Sequence, residues 1–144
     1  MKWRGFVIWL IVAFGCIDPA GPYSVHLTVA SLHRRVIQDI EGALLGEGYS
    51  FSRTKREYGK EVTTYSKFTD GNSRFWAAWW SFAYSADSLT LRDFDLGVNC
   101  GQAKELLPEV KAEVDRIVEV LYPILLKGVE ADSLKKTVYE RDRK

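Results

Sequence analysis

Two periodicities divide the chain. Val25, Val29, Leu32, Val36, Ile40 and Leu44 recur at threes and fours, the spacing of one apolar stripe on an amphipathic helix. Arg34, Arg35, Gln38, Asp39 and Glu41 fill much of the remaining circumference. Ser24 or Thr28 is placed to cap such a helix, and Gly46 and Gly48 to end it. From Tyr49 the pattern changes to runs rich in Thr, Tyr, Phe, Trp and Val: Phe51–Tyr58, Val62–Phe68, Phe75–Tyr84 and Leu89–Leu96. Turn residues separate them, namely Gly59-Lys60, Asp70-Gly71-Asn72 and Ser85-Ala86-Asp87. Links this short join antiparallel neighbours. After a loop over Gly97–Gly101, helical spacing returns across Ala103–Lys127 through Leu106, Leu107, Val110, Val114, Ile117, Val118, Leu121 and Leu125. Pro108 fits only in the first turn of that helix, whereas Pro123 should kink or end it. Residues 129–144 read as a charged, solvated tail, at most a frayed helix.

These elements predict an α+β fold. It is a two-layer sandwich with an N-terminal helix, a four-stranded antiparallel meander and a long C-terminal helix, one domain over residues 24–128. Both helices can lie on one face of the sheet, which makes Phe75–Tyr84 (FWAAWWSFAY) the most informative stretch. With a period of two, Trp76, Ala78, Trp80, Phe82 and Tyr84 share one face, and Phe75, Ala77, Trp79, Ser81 and Ala83 the other. A half-covered strand should be apolar on one face only. Either a loop, the tail or a partner chain covers the second face, or Phe75 and Trp79 form an aromatic platform there. Leaving about 200 Å² of such surface in water forgoes about 5 kcal/mol. Tyr65, Lys67, Arg53 and Lys55 are the neighbours expected to add polar contacts to that platform.

The start of the chain has a different character. Lys2 and Arg4 precede an uninterrupted apolar run, Gly5–Gly15 (GFVIWLIVAFG), which Asp18 and Pro19 stop. The run is about half the ~20 apolar residues that a spanning helix needs. A basic start, a short apolar core and small residues at its end form a secretory signal peptide, here residues 1–15. Ala13-Phe14-Gly15-Cys16 resembles the lipobox of bacterial lipoproteins, in which a diacylglycerol is attached to the cysteine thiol and the chain is cut just before it. Ala13 and Phe14 depart from that family's commonest residues, while Gly15 and the uncharged run agree with it. The resemblance implies that Cys16 is lipidated and that residues 16–23 are a lipid-bearing tether. Ile17, not being Asp, implies placement at the outer membrane, facing the periplasm, in a Gram-negative cell. Losing Lys2 and Arg4 leaves basic residues one fewer than the 19 acidic ones. Acyl chains, not bulk charge, would then hold the protein to a bilayer.

Composition narrows the chemistry further. A formal net charge of +1 excludes a nucleic-acid binder held by bulk charge, and 13% aromatic residues exclude a disordered chain. Two cysteines cannot build a four-cysteine zinc site or a disulfide scaffold. No cofactor motif is present, since the glycines form neither a dinucleotide fingerprint nor a phosphate loop. His26 and His33 are seven apart, unlike the three or four of a helical metal pair, so no metal site is expected. Asp93 and Asp95 alternate on one strand face, as a solvated edge or a carboxylate pair for acid–base chemistry. Cys100 reads as a buried cysteine, with a catalytic thiol as its sharper alternative.

The leading expectation is a non-enzymatic, exported, lipid-anchored envelope module that binds a protein or lipid-like partner through Phe75, Trp79 and Tyr65. A second is a soluble periplasmic or secreted inhibitor or immunity-type protein with a Cys16–Cys100 disulfide, whose long loop would contribute about 4 kcal/mol. A third is a small hydrolase using Asp93, Asp95 or Cys100.

Overall fold

The computed structural model describes residues 22–68, 75–85, 89–101 and 106–140. The expected signal peptide, residues 1–15, and Cys16 lie outside them. The described chain folds as β1 (Tyr23–His33), α1 (Val36–Gly46), β2 (Ser50–Glu57), β3 (Lys60–Phe68), β4 (Phe75–Ala83), β5 (Thr90–Cys100), α2 (Pro108–Gly128), a 3-10 turn (Ala131–Ser133) and β6 (Leu134–Glu140). All six strands form one antiparallel sheet in the order β2-β3-β4-β5-β1-β6. Helix α2 packs over β1 and β5, and α1 packs beside α2.

Three expectations are corrected. The N-terminal helix is first a strand, because residues 23–33 form β1 and only Val36–Gly46 is helical. A four-residue step satisfies a period of two as well as a period of 3.6, so Val25 and Val29 fit both patterns. Leu27 breaks the tie, being buried on the same face as Tyr23, Val25 and Val29. Ser24 and Thr28 are therefore strand residues and cap nothing. The four-stranded meander is likewise corrected to a six-stranded sheet: the four β-prone runs are its consecutive strands β2 to β5, with β1 and β6 added along β5. Thirdly, the expected tail supplies β6, which pairs with β1 from Tyr23↔Glu140 to Val29↔Leu134. Short, lysine-bearing strands of this kind suit a sheet edge, since charge discourages pairing with another chain. The long helix also begins later than Ala103, with Pro108 in its first turn, and it runs through Pro123 to Gly128.

The core lies between the helices and one sheet face. Trp76, Ala78, Trp80 and Phe82 of β4 meet Phe94, Leu96, Val98 and Cys100 of β5 and Val25, Leu27 and Val29 of β1. Helix α1 adds Val36, Ile40 and Leu44, and α2 adds Val110, Val114, Ile117, Val118, Leu121 and Leu125. Strict alternation fails in β1 and β5 together. Leu32 follows Val29, and Leu91 precedes Phe94, at three-residue intervals on the buried face. The step in β5 falls at Asp93, whose φ of +54° departs from strand geometry, and the β4–β5 register shifts between Ser81 and Ala83. The β2–β3 hairpin turns through Tyr58 and Gly59 at φ +52° and +75°, the left-handed pair that a two-residue turn matching the sheet twist needs.

Polar groups tie the layers together. The Tyr23 hydroxyl donates to Asp115 at 2.6 Å, joining β1 to α2, and Arg116 holds Glu113 of its own helix and Glu47 after α1. Burial, helped by Asp115, raises the Tyr23 phenol above its ordinary value of 10.0. Burial also raises Tyr49, with Glu113 adding to the effect, and the Tyr49 hydroxyl is enclosed with no hydrogen-bond partner among the described residues. Removing an unsatisfied buried hydroxyl should be neutral or favourable. Tyr49→Phe should therefore raise the unfolding free energy at neutral pH by about 1 kcal/mol. The raised phenols also set the alkaline limit. Their protonated forms favour the folded state, so that contribution is complete below pH 10.0 and is lost as pH climbs toward the folded values. Urea midpoints should fall above pH 10, less steeply in Tyr49→Phe than in wild type.

Candidate functional site on the open sheet face

Among the described residues no helix covers the second face of the sheet, although Ser24, Ala77 and Asn99 on it are buried. Cross-strand register assembles its central row from Thr64 of β3, Trp79 of β4, Gly97 of β5 and His26 of β1. The rings lean along this row. A Cβ at Gly97 would lie 2.3 Å from the Trp79 six-membered ring, so the indole covers the glycine backbone. Phe75 does the same over Gly101, where a Cβ would approach its ring to 2.4 Å. Glycine is required at both positions by this close approach. The His26 imidazole meets Trp79 edge-on at 5.4 Å between centroids and Tyr139 of β6 at the same distance on its other side. Phe68 extends the row at the neighbouring end, tilted against Phe75 at 5.9 Å.

Asp95 fixes the histidine. His26 Nδ1 and Asp95 Oδ1 are 2.9 Å apart. An ionised carboxylate can only accept, so Nδ1 carries the proton and donates it. The ring is thereby held upright between Trp79 and Tyr139. The result is two aromatic groups on one face, Phe68 with Phe75 and Trp79 with His26 and Tyr139; Phe75 and Trp79 are half-buried, while Phe68 at 71% and Tyr139 at 56% are well exposed.

The sequence-derived candidates divide between the two faces. Phe75 and Trp79 stand on the open face, together with Arg53 and Lys55 of β2. Tyr65 does not join them. It pairs with Ala78 on the helix-covered face, stacks on Trp80 at 5.4 Å and is 5% exposed. Burial and a hydrogen bond to Glu41 of α1 raise its phenol. Lys67 is on that covered face too, 5.9 Å from the Tyr49 ring. The proposed grouping slipped because Tyr65 sits opposite Ala78, one residue away from the Thr64–Trp79 pair, and one residue exchanges faces.

The catalytic alternatives are dispersed. Cys100 is fully buried opposite Trp76 on the covered face, Asp95 belongs to the histidine on the open face, and Asp93 occupies the kink. A pairing of Cys100 with Cys16 involves a residue outside those described. Among the described residues no three His, Cys, Asp or Glu side chains converge as a metal site. Sequence reading missed His26, Asp95 and Tyr139 as partners of Trp79. The signal was hidden because Gly97–Gly101 read as a loop, whereas β5 runs on to Cys100, and a glycine within a strand marks close approach of another group.

No protein-family model matches this chain, and no curated protein matches its sequence. Functional inference therefore rests on the geometry of these aromatic groups and on the residues that precede them.

The Trp79–Gly97 contact gives a direct test. Trp79→Ala should cost about 2 kcal/mol, below the 3–5 kcal/mol of a fully buried tryptophan because half-burial leaves less to lose. Gly97→Ala should cost about 1–3 kcal/mol by overpacking against the indole. In a Trp79→Ala background the glycine substitution should be near neutral. Denaturant titrations of the four proteins measure that coupling.

Proposed function

We propose that this protein is an exported, lipid-anchored cell-envelope domain acting as a non-enzymatic binding module through its open sheet face. In a Gram-negative cell its place is the outer membrane, facing the periplasm. The signal-like Gly5–Gly15 run and the lipobox-like Ala13-Phe14-Gly15-Cys16 support export and anchoring. The observation that carries the binding reading is the pair of aromatic groups, Phe68 with Phe75 and Trp79 with His26 and Tyr139, laid over backbone glycines on a face that no described helix covers. Monomeric domains seldom expose contiguous aromatic surface unless something docks on it. Dispersal of Cys100, Asp93 and Asp95 favours binding over hydrolysis, because nucleophile and base need hydrogen-bond proximity.

Metabolic labelling with a palmitate analogue tests the anchor. The wild-type protein should take up label and partition with membranes, and Cys16→Ser should lose the label. An unlabelled wild-type protein overturns the anchored reading.

A further inference from the structure

The open face carries charge as well as rings. Register places Arg53, Lys55 and Glu57 of β2, Lys60 of β3, Arg92 and Asp95 of β5 and Lys135 of β6 on it. Glu57 meets Lys55 at 2.9 Å and Asp95 holds His26, while Asp93 is exposed beside Arg92 at the kink. Arg53, Lys60, Arg92 and Lys135 are exposed and make no ion pair among the described residues. Four acids on the helix side have internal partners, Glu47 and Glu113 on Arg116, Glu61 on Arg56 and Asp115 on Tyr23, while Asp39 and Glu119 are exposed there. A chain of net charge +1 is thus polarised across its sheet, and the aromatic face is the cationic one.

The path of the chain points the same way. β1 starts at Tyr23, at the end of the sheet that also holds Phe68, Phe75 and Tyr139. Six residues lie between Cys16 and Tyr23. Fully extended, the stretch from one to the other reaches about 25 Å. A lipid on Cys16 therefore keeps the aromatic end of this face within one short tether of a bilayer.

We propose that the open face lies on an anionic phospholipid bilayer, with Phe68, Phe75, Trp79 and Tyr139 at the interface and Arg53, Lys60, Arg92 and Lys135 against the headgroups. Tryptophan and tyrosine are the side chains that favour the membrane–water interface, and each surface lysine or arginine strengthens attraction to anionic lipid. A second copy meeting this one face to face would oppose cation to cation. The tether argument rests on the anchored reading; the chemistry of the face does not.

Full-chain protein is mixed with vesicles of phosphatidylcholine, or of phosphatidylcholine with phosphatidylglycerol, each carrying brominated acyl chains. The difference in fluorescence quenching between wild type and Trp79→Phe isolates Trp79 from the other tryptophans. Expected is Trp79 quenching on the anionic vesicles only, abolished in 1 M salt, where screening acts within about 3 Å. Arg53→Glu with Lys135→Glu should lower the docking equilibrium about 25-fold or more, near five-fold for each cation removed. Sedimentation with phosphatidylcholine alone reports the anchor. Sedimentation there without anionic-specific Trp79 quenching overturns the docking and spares the anchor. Quenching on anionic vesicles without sedimentation on neutral ones supports the docking and overturns the anchor. Trp79 shielded by a single-stranded oligonucleotide but not by anionic vesicles, or by self-association at rising protein concentration, overturns the proposal.

Discussion

Both described helices lie on one side of the sheet, so the aromatic residues of β4 that point the other way have no covering layer among the described residues. The solution is local. Trp79 folds down onto the backbone of β5 at Gly97, and Phe75 onto Gly101 just past its end, so each ring buries one side against main chain. That recovers part of the apolar burial a second layer would have supplied, and it explains why β5 carries glycine where its neighbours carry side chains. His26 then closes the row against Tyr139, with Asp95 fixing its ring.

Strand β1 is the element on which this arrangement depends. It stands between β5 and β6, contributes Val25, Leu27 and Val29 to the core beneath α2, and presents His26 on the other side. Its Tyr23 also reaches Asp115 of α2. One strand thus joins the helical layer, the last strand of the chain and the open face. The simultaneous phase change near Asp93 in β5 and between Val29 and Leu32 in β1 keeps both strands apolar toward the helices through the kink.

Charge is distributed to match. Four carboxylates near the helices are engaged by Arg116, Arg56 and the Tyr23 phenol, whereas several cations of the open face face water. A near-neutral total conceals this separation, because net charge sums over both faces. Composition speaks only to bulk charge and is blind to a polarised sheet.

Much was legible in the residues themselves. Period-two alternation in Phe75–Tyr84 sorted its side chains into the two faces the sheet uses, since strand geometry alone dictates that sorting. The stripes of Val36, Ile40 and Leu44 and of Val110 to Leu125 marked helices, and Pro108 marked the start of one, for equally local reasons. Tertiary structure decided whatever local periodicity leaves degenerate. Val25 and Val29 suit a helix or a strand, and only the space between β5 and β6 makes them strand. Lys135–Glu140 suits a tail until the exposed edge of β1 offers its hydrogen bonds. Tyr65 reached the core and His26 the aromatic row through strand register, which pairing across the whole sheet sets and no single segment contains.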